Sequence, residues 1–307
     1  MKNVAIIGGN GFIGTNTAIE LADHGYNVVI IDKKRCTKKD QRIEYIQTDA
    51  LDYKSLVDSL SYKKFDAVYM FAAVSDSKEN LTDIQHAVNT NIMCLTNTLS
   101  VMNELKIPRI IFSSTVWVYS ICDEKYVTED SKLQITNSDH IYTTCKVTCE
   151  AIIKNFCAVK DVDYTILRYG IAYGPGCHPD TILSKFITNA IEGIPLTITG
   201  DGKTFRNFLY VTDHARGNRL ALSDKAKNET INLEGPEKIT LLQVAERVRE
   251  LHNNDIDIKR ANERHGDYKG KHVSNSKAKK LLDWEPLVSF KEGSKKLYKF
   301  KNYEENN

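Results

Sequence analysis

Several features that define other classes of protein are absent from this chain of 307 residues. No apolar run approaches the roughly 20 residues that span a bilayer, and the N-terminus starts directly with a strand pattern instead of a signal peptide. The 42 basic and 40 acidic residues nearly cancel, so composition gives no case for nucleic-acid binding. We therefore expect a soluble, cytoplasmic protein that binds neither membranes nor nucleic acid.

Cysteine patterns that hold metals are also missing. The seven cysteines include no close Cys-x-x-Cys pair and no accompanying histidine spacing for zinc. Cys145 and Cys149 lie four residues apart on a predicted helix, a spacing that usually reflects packing. We predict reduced thiols and no metal site.

What the chain does contain is a glycine-rich turn between two apolar runs. Gly8, Gly11 and Gly14 follow Val4 to Ile7, and a helix-like stretch leads on to Val28 to Ile31. In a dinucleotide site the first glycine permits a sharp turn, the second lets a pyrophosphate approach the backbone, and the third allows close packing of helix on sheet. The pyrophosphate then meets free N–H groups at a helix N-terminus. The alternative is a tight turn in some other α/β protein.

An acidic residue, Asp32, ends the second apolar run. It lies about 20 residues beyond the glycines, where a carboxylate can accept both ribose hydroxyls and would repel a 2′-phosphate. Lys33, Lys34 and Arg35 follow at once and could offset that repulsion. The sequence favours NAD over NADP, and we predict NAD as the cofactor.

Short apolar runs alternate with amphipathic stretches through the first half of the chain. We predict strands at 44–47, 67–71, 109–112 and 164–167, and helices near 54–60, 84–104 and 142–158. This alternation predicts an α/β fold with a Rossmann-type, doubly wound parallel sheet. The pattern breaks at Tyr173-Gly174-Pro175-Gly176, and the less regular material beyond it predicts a smaller C-terminal lobe. The substrate cleft is expected between the two.

A second motif joins Tyr142 and Lys146 to the hydroxyl cluster Ser113, Ser114 and Thr115. Residues four apart share a helix face, so the Lys146 ammonium can sit beside the Tyr142 phenol. To act as a base near neutrality, a phenol must drop its pKa from about 10 by roughly three units. A neighbouring ammonium and a positively charged nicotinamide are sources of that shift. Thr115 can hydrogen-bond the same substrate oxygen.

Together with further motifs, these residues resemble the extended short-chain dehydrogenase/reductases of the NAD-dependent epimerase/dehydratase family, which modify nucleotide sugars. The resemblance spans nearly the whole chain. It is carried by Gly8 to Gly14, Asp32, Asp49, Phe71-Ala72-Ala73, Asn91, Ser113 to Tyr119, Tyr142 to Lys146, Arg168 to Gly176, Gly200 to Asp213, Arg264 to Asp267 and Leu282-Asp283-Trp284-Glu285-Pro286.

The resemblance implies a role for each matching residue. Tyr142, Lys146 and Thr115 would be catalytic. NAD would be bound by Gly8, Gly11, Phe12, Ile13, Gly14, Asp32, Lys33, Asp49, Ala50, Phe71, Ala72, Ala73, Asn91, Ser113, Tyr142 and Lys146. The nucleotide-sugar substrate would be contacted by Ser75, Trp117, Ile171, Arg206 and Arg264. The two arginines suit its diphosphate because a guanidinium is forked and permanently charged.

Domain limits and assembly also follow from the resemblance. Residues 1–168 would form the NAD-binding Rossmann domain, to which about 203–235 returns. Residues 169–202 and 236–307 would form a nucleotide-sugar-binding α/β lobe. The helices at 84–104 and 142–158 correspond to those that form a four-helix homodimer bundle in the family. The apolar residues Ile92, Leu95, Leu99 and Met102 fit that bundle and fit packing on the sheet equally well.

The reaction is left open by the resemblance, because several chemistries share the scaffold. Dehydratases of the family carry Asp-Glu directly after the catalytic hydroxyl residue, and decarboxylases have Glu at the second place. This chain has Val116 and Trp117, and an indole cannot exchange protons near neutral pH. We predict NAD-dependent epimerisation of a UDP-hexose at carbon 4 through a keto-sugar. The alternatives are an NAD(P)H-dependent keto-sugar reductase and a catalytically silent NAD or sugar-nucleotide binding protein.

Some positions depart from the epimerase pattern. Gly170 and Ile171 stand where Phe-Asn is usual, so a polar substrate contact is missing. Trp117 is much bulkier than the small residue that epimerases have there, so we expect a narrowed sugar pocket. The segment from Ser75 to Lys78 is expected to be a loop over the nicotinamide and sugar. His178 is either a proton donor or a loop histidine without such a role.

Overall fold

The computed structural model of the chain describes residues 2–36, 40–75, 77–133, 140–262 and 270–305. The strands are β1 Asn3–Ile7, β2 Asn27–Asp32, β3 Ile43–Gln47, β4 Ala67–Met70, β5 Arg109–Thr115, β6 Tyr126–Val127, β7 Asp163–Tyr169, β8 Ile171–Tyr173, β9 Leu196–Thr199, β10 Phe205–Tyr210, β11 Glu229–Leu233, β12 Lys238–Thr240, β13 Ile258–Ala261 and β14 His272–Val273. The α-helices are α1 Phe12–Asp23, α2 Tyr53–Ser61, α3 Ser77–Thr82, α4 Ile84–Val88, α5 Cys94–Leu105, α6 Ile141–Val159, α7 Ile182–Ile191, α8 Val211–Leu220, α9 Leu241–Leu251, α10 Ser276–Leu282 and α11 Phe290–Glu305.

Seven strands form one large parallel sheet in the order β11-β7-β5-β4-β1-β2-β3. Chain order reverses between β1 and β4, which makes this the point where a ligand crevice opens at the carboxyl ends of the strands. Every residue of β4 and β5 is buried, as expected of strands covered by helices on both faces. The predicted Rossmann-type sheet is confirmed.

One face of the sheet is covered by α2, α5 and α6. Leu95, Leu99 and Met102 of α5 are at most 1% exposed and pack in the core that contains Met70 and Phe112. Ile92 lies at the edge of the same core. Packing on the sheet, one of the two uses that the sequence allowed for these residues, is therefore present in the fold.

The opposite face is covered by α1, α8 and α10. Asn218 of α8 donates a hydrogen bond to the Thr17 hydroxyl of α1 at 2.7 Å, and Arg219 pairs with Glu20 at 2.7 Å. The fully buried Trp284 belongs to the same core, and its indole N–H donates to the carbonyl of Asp213 at 3.0 Å. Residues 276–284 thus pack against the large sheet.

A three-stranded sheet of order β12-β10-β8 and the pair β13-β9 form the rest of the fold. Helices α7, α9 and α11 pack around them in a separate core that includes Phe186, Val244 and Leu297. The segment 203–235 is divided between the two parts, because β10 lies in the small sheet whereas β11 joins the large one. None of the helices in the described ranges is long and apolar enough to cross a membrane.

The fold buries a histidine without a hydrogen-bond partner. His214 of α8 is 0% exposed, and neither of its ring nitrogens has a partner among the described residues. Burial lowers the pKa of His214 from 6.5 to about 3. Below pH 6.5 the unfolded chain therefore binds a proton that the folded chain excludes, and stability falls as the pH falls.

We expect His214→Leu to flatten the acid side of the stability profile. Lowering the pH from 6.5 to 4.5 should cost wild type about 2–3 kcal/mol more than the variant, since each pH unit between the two pKa values contributes about 1.4 kcal/mol. Urea unfolding at both pH values measures the difference. His24→Leu, at an exposed site, is the control and should keep the wild-type slope. Equal slopes in His214→Leu and wild type would contradict the assignment.

Candidate active site

The glycine turn forms the crevice at the end of β1. Gly8 has a φ of +79°, and a Cβ there would lie 2.4 Å from the backbone nitrogen of Ala72. A Cβ on Gly14 would lie 2.7 Å from the Gly9 Cα. The atoms nearest the third glycine thus belong to the turn and not to the sheet, on which close packing was expected. A Cβ on Gly11 would meet only the Gly8 carbonyl oxygen, at 3.4 Å. The turn therefore leaves an open cradle of bare backbone in front of α1.

This cradle suits a pyrophosphate. Gly11 is the N-cap of α1 and provides no side chain to cap the helix. The first-turn N–H groups of Phe12, Ile13 and Gly14 have no acceptor within an α-helix, and they carry the positive end of the helix dipole. Backbone donors at a helix start, reached through glycines, are the groups that bind the phosphates of a dinucleotide.

Asp32 at the end of β2 is tied to the same turn. Its Oδ2 accepts the N–H of Asn10 at 3.0 Å, and its Oδ1 accepts the N–H of Lys34 at 2.8 Å. The carboxylate thus holds the glycine turn in place besides standing where an adenosine ribose is expected. Lys33 is exposed beside it. The motif spacing predicted that Asp32 binds the ribose, but it did not indicate that Asp32 also fixes the glycine turn.

We expect Gly8→Ala to weaken NAD binding by tenfold or more. The new Cβ would collide with rigid backbone at Ala72, in addition to the strain of a positive φ. Gly25→Ala is a matched control, because Gly25 has a φ of +78° but nothing within 4 Å of an added Cβ. The control should lose about 1 kcal/mol of stability and bind NAD normally. Titration of each variant with NAD measures the contrast, and equal affinities would contradict the role of the cradle.

The chain that follows β4 forms the opposite wall of the crevice. Phe71, Ala72 and Ala73 are half-buried there. Asn91, which is 2% exposed, accepts the N–H of Val74 at 3.1 Å and donates to the Val74 carbonyl at 3.2 Å. Both ends of its amide are thus engaged with the loop backbone, so Asn91 positions this wall of the crevice.

The remaining predicted residues near the cofactor follow β3 and β4. Asp49 is exposed and accepts the N–H of Leu51 at 2.9 Å, while Ala50 is 7% exposed. Ser75 is exposed beyond the crevice wall. The expected loop from Ser75 to Lys78 is wrong in its second half, because α3 begins at Ser77.

Lys146 and Tyr142 lie on α6 beside the end of β5. The Lys146 side chain is 2% exposed, and its Nζ donates to the Ser113 carbonyl at 2.6 Å. Nζ also lies 5.6 Å from the centre of the Tyr142 ring. Burial lowers the pKa of Lys146 to about 8 and raises the pKa of Tyr142 above its ordinary value. The ammonium by itself therefore does not activate the phenol, and the expected activation depends on a further positive charge.

Among the described residues, Ser113 and Ser114 each have an acceptor for the hydroxyl proton, whereas Thr115 has none. Ser113 donates to the Met70 carbonyl at 3.0 Å, and Ser114 donates to Glu150 at 2.5 Å. Thr115 Oγ1 accepts the N–H of Trp117 at 3.2 Å, which leaves its own proton for another acceptor. The sequence proposed Thr115 for catalysis, and the hydrogen bonds show why its neighbours are less suited.

A buried ion pair lies beneath this cluster. Arg168 of β7 and Glu150 of α6 are 2% and 4% exposed at the side chain and pair at 2.7 Å. Arg168 also donates to the Tyr119 hydroxyl at 2.8 Å, and Glu150 accepts from Ser114. The pair joins α6 to the ends of β5 and β7, and neither residue was predicted to matter for the site.

A pocket begins at Val116, the residue that follows Thr115. It is lined by Val116, Trp117, Ile171, Phe205, Arg206, Asn207, Glu234, Gly270 and Lys271. Three of the predicted substrate residues, Trp117, Ile171 and Arg206, are thus brought together. Arg264 lies outside the described residues. Lys271 and Glu234 were not foreseen, because nothing in their local sequence distinguishes them from surface charges. His178 is an exposed loop residue beside Asp180.

Comparison with known proteins identifies the family. The family model described as "NAD dependent epimerase/dehydratase family" matches residues 4–233. The chain belongs to this family. Membership of the NAD-dependent epimerase/dehydratase family makes NAD the cofactor, as predicted, and the cradle before α1 has the donors that it requires.

Individual members of the NAD-dependent epimerase/dehydratase family are similar over most of the chain. A UDP-glucuronate 4-epimerase of Thermodesulfobacterium geofontis is 29% identical over 260 residues, which cover 84% of this chain and 79% of that protein. A UDP-N-acetyl-alpha-D-glucosaminuronate decarboxylase of Bacillus cytotoxicus is 27% identical, with 96% of each covered. The crystal structure of UDP-glucose 4-epimerase from Thermotoga maritima with UDP-glucose matches with a TM-score of 0.92 at 25% identity, over 98% and 99% of the two chains. An epimerase and a decarboxylase thus match this chain at similar identity, and similarity alone does not distinguish the two reactions.

Proposed function

We propose that this protein epimerises a UDP-hexose at carbon 4 with NAD as a resident cofactor. The observation that carries the proposal is the set of groups around Thr115. Tyr142, Lys146 and the Thr115 hydroxyl serve hydride removal and return, whereas Val116 and Trp117, directly after Thr115, offer no acid or base for elimination. Epimerisation is the reaction that needs no group beyond these.

The cofactor residues divide by the part of NAD that they would hold. The N–H groups after Gly11 would bind the pyrophosphate, Asp32 the adenosine ribose, and Asp49 with Ala50 would border the adenine. Lys146 and the wall that Asn91 positions would flank the nicotinamide half. When bound, NAD supplies a nicotinamide that accepts a hydride from the sugar and returns it.

The protein's own residues manage the proton and the substrate. Tyr142 takes the proton of the C4 hydroxyl as that carbon is oxidised, and returns it when the carbon is reduced from the opposite face. Thr115 donates a hydrogen bond to the same oxygen and holds it in line. Lys146, kept in place by the Ser113 carbonyl, places positive charge near the phenol. Between the two steps the keto-sugar rotates in the pocket, so that its opposite face is presented for reduction.

The substrate would lie between the Rossmann domain and the nucleotide-sugar lobe, a division that forms part of this proposal. Arg206 lines the sugar-side pocket and would bind the diphosphate together with Arg264. Ser75 and Ile171 would contact the sugar from opposite sides. Trp117 narrows the pocket, and its ring lies 5.3 Å from that of His140.

A homodimer is proposed as the working form. Exposed apolar side chains cluster on and between α3, α4 and the start of α5; they are Leu81 at 68%, Ile84 at 54%, Val88 at 37% and Met93 at 45% exposure. Four exposed apolar residues within 13 positions are unusual for a surface that stays in water. Light scattering should give twice the chain mass, and Ile84→Asp together with Met93→Asp should give the monomer. A monomeric wild type would contradict the dimer.

The decisive experiment is to identify what the purified protein carries and converts. Denaturation should release NAD, and a panel of UDP-, dTDP- and GDP-sugars should show interconversion of one C4-epimer pair without net use of NADH. Stoichiometric consumption of NADH or NADPH with a keto-sugar would replace the epimerase with a reductase. Binding without turnover across the panel would favour a silent binding protein.

A further inference from the structure

Glu234 is a buried acid on the sugar side of the site that the proposed mechanism does not use. It follows β11, is 4% exposed, and lines the same pocket as Trp117, Ile171 and Arg206. One oxygen, Oε1, accepts the N–H of Gly235 at 2.9 Å. No cation of the described residues forms an ion pair with it. A carboxyl group buried at a pocket without a cation costs stability, which calls for a functional reason.

The space that this carboxyl group occupies is provided by Gly170. A Cβ at position 170 would lie 1.9 Å from Glu234 Oε1 and 2.9 Å from its Cδ. β7 and β11 are parallel neighbours with Leu233 opposite Tyr169, so the two residues leave the sheet side by side. Glycine at 170 and glutamate at 234 therefore form one arrangement, in which the acid lies over the end of β7.

The backbone that carries the carboxyl group is fixed. The N–H of Glu234 donates to Asn275 Oδ1 at 2.9 Å, and Asn275 Nδ2 donates to the Glu234 carbonyl at 2.9 Å. Gly235 allows no substitution, because a Cβ there would lie 2.3 Å from the Phe208 carbonyl oxygen. These hydrogen bonds fix the backbone of Glu234 and so preorganise its carboxyl group, as is required of a group that recognises a ligand.

Given the proposed function, we propose that Glu234 contacts the sugar ring and, in its ionised form, favours nucleotide sugars that carry no carboxylate. Its carboxyl group hydrogen-bonds a hydroxyl or amide of a neutral hexose or N-acetylhexosamine. A uronate would bring a second carboxyl group into the same pocket, and two neighbouring carboxyl groups resist simultaneous ionisation. The acid thus supplies the sugar contact that Ile171 does not offer.

The charged groups around Glu234 do not neutralise it. In the described part of the pocket these are Arg206, which donates to the Phe205 carbonyl at 2.9 Å, and Lys271, whose Nζ donates to the carbonyls of Cys122 and Glu124. The walls from β7 and from the residues after β5 contribute no titratable group to the pocket. Burial raises the pKa of Glu234 to about 8. Rejection of a uronate should therefore strengthen as the pH rises through this value.

The test measures binding of UDP-glucose and UDP-glucuronate to the NAD-loaded protein by calorimetry at pH 6.5 and pH 9. For wild type, the ratio of the UDP-glucuronate Kd to the UDP-glucose Kd should rise about tenfold from pH 6.5, where Glu234 is mostly protonated, to pH 9, where it is mostly ionised, and it should exceed 1 at pH 9. For Glu234→Gln the ratio should change less than twofold. Both ligands carry UDP, so the contribution of the nucleotide to binding cancels in the ratio. Lys146 titrates in the same pH range, but it is present in wild type and in Glu234→Gln, so it cannot account for a difference between them.

A flat ratio in wild type, an equal rise in Glu234→Gln, or tighter binding of UDP-glucuronate than of UDP-glucose by wild type at pH 9 would overturn the proposal. The wild-type measurement needs no variant, so a poorly folded mutant leaves the test intact. Gly170→Ala should displace the carboxyl group and also lose the pH dependence. This test measures binding and not turnover. The protein could therefore discriminate between the two ligands and still fail the epimerase assay, or pass the epimerase assay and show no discrimination.

Discussion

Tyr142→Phe is expected to lower kcat by about a thousandfold while leaving nucleotide-sugar binding within threefold of wild type. A positioned proton-transfer group contributes roughly 10²–10⁴ to a rate, and the change removes one hydroxyl from the ring beside Lys146. The shape of the pocket is otherwise kept. Epimer interconversion at saturating substrate gives kcat, and calorimetry gives the Kd.

The control for this variant is Tyr173→Phe. Tyr173 is 1% exposed, and its hydroxyl donates to the Ser289 carbonyl at 3.3 Å, in the core of the smaller lobe. Removing it should cost about 1 kcal/mol of stability and leave kcat within twofold. If Tyr142→Phe kept more than a tenth of the wild-type kcat, another group would have to be the base.

Glu150→Ala is expected to cost about 3–5 kcal/mol of folding free energy. It would leave the Arg168 guanidinium buried without its carboxylate, and removing one partner of a buried pair has this magnitude of effect. It would also leave the Ser114 hydroxyl without its acceptor directly beside Thr115. Chemical unfolding measures the loss, and activity should fall further than the folded fraction because β5 and β7 are no longer joined through α6.

Glu44→Ala provides the comparison for Glu150→Ala. Glu44 pairs with Lys63 at 2.9 Å, but its side chain is 46% exposed. Surface pairs contribute about 0–1 kcal/mol, so this variant should unfold almost like wild type. If the two variants lost similar amounts of unfolding free energy, burial would not explain the contribution of the Arg168–Glu150 pair to stability.

The sheet could be predicted from the sequence because its strands are short apolar runs with a turn signal after each. The run 109–112 marks β5 correctly, yet the strand continues to Thr115. Ser113, Ser114 and Thr115 are polar and give no strand pattern; they are held in the sheet because they pair with Leu167 to Tyr169 of β7. Pairing with a distant strand has no local signal, so the sequence could not show that β5 continues to Thr115.

The helix predicted at 84–104 shows the same limit. A π-helical turn, Asn89–Met93, separates α4 from α5, and Asn91 lies in it. π-turns commonly accompany functional sites. Here the turn places the Asn91 amide against Val74, on a loop 17 residues earlier in the chain. Apolar periodicity indicates a helix here but not the π-turn, because neither the turn nor this tertiary hydrogen bond changes the spacing of the apolar residues.

Glu234 is the clearest case of a site residue that sequence reasoning misses. A glutamate between an apolar strand and a glycine is typical of a surface turn. Its burial depends on the space left by Gly170, which lies more than 60 positions earlier in the chain. The two residues come together only because β7 and β11 are neighbouring strands. The departure of Gly170 from the family pattern was visible, but its consequence at position 234 was not.

The pairing of β7 with β11 also bears on how the chain folds as it is made. β7 ends at Tyr169, but the strand that covers its outer edge ends at Leu233, after β8, α7, β9, β10 and α8 have been added. At a synthesis rate of about 5–20 residues per second, that interval lasts several seconds. During this interval the β7 edge of the nascent sheet has unpaired backbone N–H and C=O groups, which can form hydrogen bonds with strands of other chains. The ribosome-bound intermediate, more than the finished protein, is where this fold is most exposed to aggregation.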